Sequence, residues 1–160
     1  MSRRRRFHLR RDGTVRVALP PDERDLLRSL IGQFRHLVAE PDPSDPAVAR
    51  LQPPAQIDDP DADAEWRALV GDQLRHRRLD AAERVLATLD GADLDDEGVE
   101  AWLETLAALR LVVGERVGAF DRAEPDDEPD EIGPLDVAFD WLALLLQLLV
   151  EEASGRLDDA

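Results

Sequence analysis

Arg110 is the residue of this 160-residue chain whose setting most plainly calls for a chemical explanation. In the stretch VEAWLETLAALRLVVGERV (residues 99–117), Val99, Trp102, Leu103, Leu106, Leu109, Val113 and Val117 share one arc of a helical wheel drawn at about 100° per residue. Arg110 falls inside that arc, between Leu106 and Leu103. A guanidinium there must be paired, snorkelled or used, because an isolated buried charge is too costly to keep. Two roles fit. It could pair with a carboxylate such as Asp58, Asp59 or Glu65 and fix helix packing, or it could act as a planar fork for an anionic ligand or a partner's carboxylate.

Other constellations are weaker. Asp72, His76 and Asp80 stand at i, i+4 and i+8 on one helix face, which could form a metal edge. Mixed ligands on one helix with no second histidine nearby are expected instead as exposed ion pairs. Asp58, Asp59, Asp61 and Asp63 crowd a helix start, where the macrodipole favours negative charge. They lack the sharp-turn glycine and terminal glutamate of a calcium loop. No metal site and no cofactor is expected. The chain has no lysine and no cysteine, which excludes Schiff-base chemistry, a phosphate-loop lysine, thiolate nucleophiles, disulfides and cysteine-ligated zinc. Ser2, Ser29, Ser44 and Ser154 lie in no nucleophile motif, and no phosphate-cradling glycine loop is present. A non-enzymatic protein is expected.

Charge divides the chain. Residues 1–16 hold seven arginines against one aspartate, about +6, so the remainder carries about −22 of the formal −16 total. So acidic a body repels phosphate, and direct nucleic-acid binding is not expected. The tip Arg3, Arg4, Arg5 and Arg6 is a possible polyanion contact, its plainer role being a solvated tail. No apolar run follows those arginines, so no secretory signal is expected, and the apolar run Leu142–Leu146 is too short to span a membrane. These features predict a cytoplasmic protein.

The elements that must position these residues form one domain over 1–160. A flexible tip (1–6) precedes a hairpin (7–19), in which Asp12–Gly13 suits a type I′ turn and Val15, Val17 and Leu19 alternate with polar or small residues. Helices occupy 20–118, interrupted by a proline-rich loop at 40–60. The first helix uses Leu26, Leu27, Leu30, Ile31, Phe34, Leu37 and Val38. Asp45–Pro46 opens a short turn through Leu51. Asp61–Arg78 buries Trp66, Leu69, Val70 and Leu74, and Asp80–Leu89 presents Ala82, Val85, Leu86 and Leu89, either as a second helix or as a continuation of the first. Leu94, Asp95 and Val99 form a hydrophobic staple at the start of the Arg110 helix. Ala107, Leu111, Gly114 and Gly118 line its other side with mainly small residues, where a neighbouring helix could approach closely. An acidic loop (119–133) leads to a final helix (134–153) with a narrow polar strip of Asp136, Asp140, Gln147 and Glu151. So broad an apolar face predicts a homodimer, with Trp141, Leu145, Leu148 and Leu149 as its interface. The fold class is mainly α, a bundle of about five helices with a short N-terminal β-hairpin.

The segments DGTVRVAL, SDPAVARLQPPA, EWRALVGDQL, WLETLAALRLVVGERVG and FDWLALLLQLLVEEA, in this order, resemble the actinobacterial family of formerly unknown function that includes the oxidative-stress regulator AosR. The resemblance spans nearly the whole chain and brings no catalytic motif. It implies a regulatory role through a protein partner, RNA polymerase or a sigma factor. Genes of that family commonly lie beside that of the ClpS protease adaptor, which implies, as the alternative, an accessory or adaptor protein of the Clp proteolytic system. Lacking cysteine, this chain cannot sense oxidants through a thiol of its own.

Overall fold

Two residues make the turn that opens the fold. Gly13 adopts a left-handed backbone (φ +87°), which costs glycine nothing, and the Asp12 carboxylate accepts from both the N–H (3.0 Å) and the hydroxyl (2.6 Å) of Thr14. In the computed structural model, which describes residues 5–52, 60–120 and 133–158, strands β1 (Phe7–Leu9) and β2 (Val15–Val17) pair antiparallel with Phe7 opposite Val17 and Leu9 opposite Val15. The expected type I′ turn does not form, because only the glycine takes positive φ. The Arg10 N–H reaches the Thr14 carbonyl at 2.8 Å, and the Gly13 N–H bonds to the Arg10 carbonyl at 3.0 Å. The result is a three-residue loop closed by a left-handed glycine, the next commonest hairpin connection. A third strand, β3 (Asp93–Leu94), pairs antiparallel with β2 and extends the expected hairpin to a three-stranded sheet.

Helix α1 (Pro21–Ala39) begins with proline at its first position and buries Leu27, Leu30, Ile31, Phe34 and Val38. Leu26, expected on that face, is 40% exposed. Helix α2 (Pro46–Leu51) is capped by Asp45, whose side chain accepts from the Ala47 N–H at 2.9 Å. Helix α3 (Pro60–Thr88) runs unbroken through both expected helical segments. Only its C-terminal half enters the core, through Ala82 and Val85, with Leu89 just beyond its end. Leu69 is therefore 64% exposed, and Trp66, Val70 and Leu74 are only half-buried.

The Arg110 helix, α4 (Asp96–Arg116), starts where the staple predicts. Asp95 accepts from the Gly98 N–H at 2.7 Å, and Leu94 and Val99 are both buried. It ends in a Schellman motif: the Ala119 N–H returns to the Gly114 carbonyl (2.9 Å), the Gly118 N–H to the Glu115 carbonyl (3.2 Å), and Gly118 is left-handed at φ +68°. Trp102 lies at the centre of the core, fully buried and edge-on to Phe7 with ring centroids 5.7 Å apart. Its indole N–H donates to the Thr88 hydroxyl (2.8 Å), which in turn donates to the Arg84 carbonyl (2.8 Å).

Helix α5 (Pro134–Asp158) runs past the expected end at Ala153 and lies antiparallel to α4, with Phe139 beside Gly114 and Arg156 paired to Asp96. Ala138, Leu142, Leu145 and Leu149 face the core. Among the described residues no helix is long and apolar enough to cross a membrane.

Among the described residues Thr105 is the one buried polar residue, and its hydroxyl finds no hydrogen-bond partner there. A buried unsatisfied hydroxyl costs about 1–3 kcal/mol. The isosteric Thr105→Val change is therefore expected to raise the melting temperature by a few degrees. A lowered melting temperature would show that the hydroxyl is satisfied in solution.

Candidate interaction site

Arg110 lies on the flank of α4 that meets α5. Its guanidinium is half-buried and sits over the Phe139 ring, 4.8 Å from the ring centroid. Among the described residues no carboxylate lies within ion-pair distance of it, and Glu65 is exposed on α3; Asp58 and Asp59 lie outside the described residues. Of the three candidate carboxylates Glu65 does not pair with it, and the guanidinium rests instead on an aromatic face, which attracts a cation through its quadrupole without requiring a second buried charge.

Gly114 makes this contact possible. A Cβ at that position would lie 2.7 Å from the Phe120 ring and 2.9 Å from the Phe139 ring, so only glycine lets both rings lie against the α4 backbone. The stripe of small residues thus receives α5 as expected at Gly114, whereas Ala107 is exposed and Gly118 serves the helix end. The two phenyl rings meet edge-on, with centroids 6.3 Å apart. The Arg50 guanidinium lies over Phe120 at 4.6 Å and bonds Glu115 at 2.7 Å. Arg50, Phe120, Phe139 and Arg110 form a cation–ring–ring–cation row that joins α2, the end of α4 and α5.

Next to this row, Arg116 grips Asp45 through two bonds of 2.7 Å each. Asp45 thereby serves α2 as its cap and α4 as its anchor. The Arg116 fork, and then the Ala47 N–H, hold the Asp45 carboxyl below the usual carboxylate range. Nothing in the spacing of Arg50, Asp45, Glu115 and Arg116 announces this cluster; only the long-range packing of α2 on α4 creates it.

At the N-terminus, Arg3 and Arg4 lie outside the described residues. Arg5 is exposed, 3.9 Å from Glu152. Arg6 is not free for a polyanion: it bonds Glu23 at 2.8 Å, and the same carboxylate accepts the Trp141 indole N–H. A basic residue so held by an internal carboxylate is a clamp between the N-terminal arm, α1 and α5.

Of the expected interface residues, Leu145 and Leu149 are fully buried within the chain, because α5 turns them onto α4 and the sheet. They cannot reach a second subunit. Trp141 and Leu148 are half-buried, and Val137 (60% exposed) and Leu144 (42% exposed) complete a stripe with them at i, i+4, i+7 and i+11. Asp140, Gln147 and Glu151 flank it as an exposed polar strip.

Asp72, His76 and Asp80 do not converge. His76 Nδ1 is 2.8 Å from the Asp72 carbonyl, and the Asp72 carboxylate pairs with Arg75 at 3.3 Å. Among the described residues no group of three histidine or carboxylate side chains is placed to hold a metal.

Two outcomes follow. In a double-mutant cycle, Arg110→Ala and Phe139→Leu are expected to couple by about 0.5–1 kcal/mol in denaturant unfolding, and additivity would exclude the cation–ring contact. Asp45 has a depressed folded pKa, so its contribution is present above the unfolded carboxylate value of roughly 4 and is lost as pH falls through the folded value. The stability gap between wild type and Arg116→Gln is therefore expected to be widest near neutrality and to close in acid. A gap independent of pH would place the effect of Arg116 elsewhere.

No curated protein and no solved structure matches the chain. Residues 4–153 match one family throughout, from the arginine tip through the hairpin and the Arg110 helix to the apolar stripe of α5, and the chain belongs to that family, the domain of unknown function DUF2017.

Proposed function

We propose that this chain is a non-enzymatic regulatory protein that works by binding a protein partner through the outer stripe of α5. The observation that carries the reading is the exposure of Val137 and Leu144 beside Trp141 and Leu148, on a helix whose adjoining face is already used by the core. Apolar side chains grouped at helical spacing on an acidic surface suit a groove on another protein. The flanking Asp140 and Glu151 would face like charges in a symmetric pair and favour a partner with a basic rim. Resemblance to the family of an oxidative-stress regulator supplies the partner class, RNA polymerase or a sigma factor, and a stress-response role in transcription. The same stripe is the surface on which a homodimer would form.

A Val137→Glu, Leu144→Glu double variant tests this, because both side chains are exposed and the fold is expected to keep its melting temperature within a few degrees. Binding of wild type and variant to purified RNA polymerase holoenzyme and to purified Clp protease and adaptor would be measured side by side, with sedimentation equilibrium on each chain alone. Polymerase or sigma binding lost in the variant supports the proposal. Binding only to a Clp component replaces it with the adaptor role, and a wild-type dimer that becomes a folded monomer assigns the stripe to self-association. Equal binding by both chains removes α5 as the docking surface.

A further inference from the structure

The N-terminal half of α3 does not close onto the core. Between it, the end of α1 and α2 lies a cavity of about 420 Å³, far larger than the voids of a close-packed interior and within the range of small-molecule sites. Its apolar wall includes Leu37, Val48, Leu51 and Leu74. Gly71 also borders it, and a Cβ built there meets nothing within 4 Å. Three arginines and one aspartate line the same space, an excess of positive charge in a chain of net charge −16.

Of those arginines, Arg67 is already engaged and Arg75 pairs with Asp72 at 3.3 Å. Arg78 differs. It is half-buried, and among the described residues it makes no ion pair or hydrogen bond, Glu104 acting on it only at longer range. Burial lowers its pKa from the ordinary arginine value, the mark of a guanidinium stripped of water without a bonded counter-charge. A planar fork with five donors at the edge of an apolar hole lacks a carboxylate, and the hole lacks an apolar body.

We infer that the cavity between α1, α2 and α3 binds an apolar monocarboxylate of the fatty-acid class, its hydrocarbon against Leu37, Val48, Leu51 and Leu74 and its carboxylate on Arg78. The inference does not depend on the α5 stripe, which lies on other elements.

Dodecanoate, titrated calorimetrically into the full chain below its micellar concentration, is the probe, with dodecanol and dodecyltrimethylammonium as controls. One saturable site for dodecanoate is expected. Dodecanol and the cationic amphiphile should bind at least about ten-fold more weakly, and Arg78→Gln should weaken dodecanoate by roughly ten- to a hundred-fold, the range of a charge-assisted bond. Gly71→Leu fills the cavity from the helix backbone while replacing a poor helix former, so it should abolish binding with the melting temperature kept or raised. That variant separates loss of the site from loss of the fold. Absence of saturable binding to wild type, equal affinity for the cationic amphiphile, or unchanged dodecanoate binding in both variants would overturn the assignment. A Gly71→Leu chain that is destabilised, together with a wild type that does not bind, would show the space to be filled by the protein itself.

Discussion

The bond from the Trp102 indole to Thr88 is the constraint on which the arrangement of elements rests. A fully buried indole must find an acceptor, and here the acceptor is the last residue of α3. Thr88 reaches it because its own hydroxyl proton is spent on the Arg84 carbonyl one turn back. The indole ring meets Phe7 of β1 edge-on, so one side chain registers the end of α3 against α4 and α4 against the sheet. Gly91 (φ +115°) then reverses the chain just after α3, and β3 pairs with β2 before Asp95 starts α4. The centre of the domain is thus positioned by one hydrogen-bonded aromatic and a short connection.

The opposite end of α4 is held differently. There the packing depends on a missing side chain: Gly114 lets Phe120 and Phe139 lie on the backbone, and the Schellman turn at Gly118 folds Phe120 back to that place. Arginines cover the rings from both ends, and carboxylates at Asp45 and Glu115 tie α2 to the same region. A chain whose basic residues are all arginine favours such contacts, since a planar, weakly hydrated cation stacks on a ring as readily as it pairs with a carboxylate.

Much of this architecture was legible where local chemistry decides. Asp95 with Leu94 and Val99, Asp45 with Pro46, and Pro21 each mark a helix start through groups within a few residues, and the alternation of Val15 and Val17 gives the strand its buried face. Reading failed where distant packing chooses between permitted options. The Asp12–Gly13 pair admits two turn types, and the Asp12 bonds to Thr14 accompany the longer one. Periodicity marked Leu69 as apolar but could not say that α3 packs on the core only from Leu79 onward. On α5 it grouped Trp141, Leu145, Leu148 and Leu149 together, whereas the helix is rotated so that the leucines at 145 and 149 face inward and the others flank them. The oddity of Arg110 was visible, but its ring partner lies on another helix. Arg78, on the cavity edge, carried no signal in the spacing at all.

Glu152 has a consequence for how this protein can meet others. The outer rim of β1 faces away from β2, and a three-stranded sheet with a bare rim is a template for pairing with any extended chain. The Leu9 N–H on that rim is taken by the Glu152 carboxylate at 3.0 Å, and Arg5 stands beside it. A single acidic side chain from α5 thus stands in the way of strand-by-strand growth of the sheet from its β1 rim. An extended chain could pair along β1 only by displacing that carboxylate from a backbone donor it already satisfies.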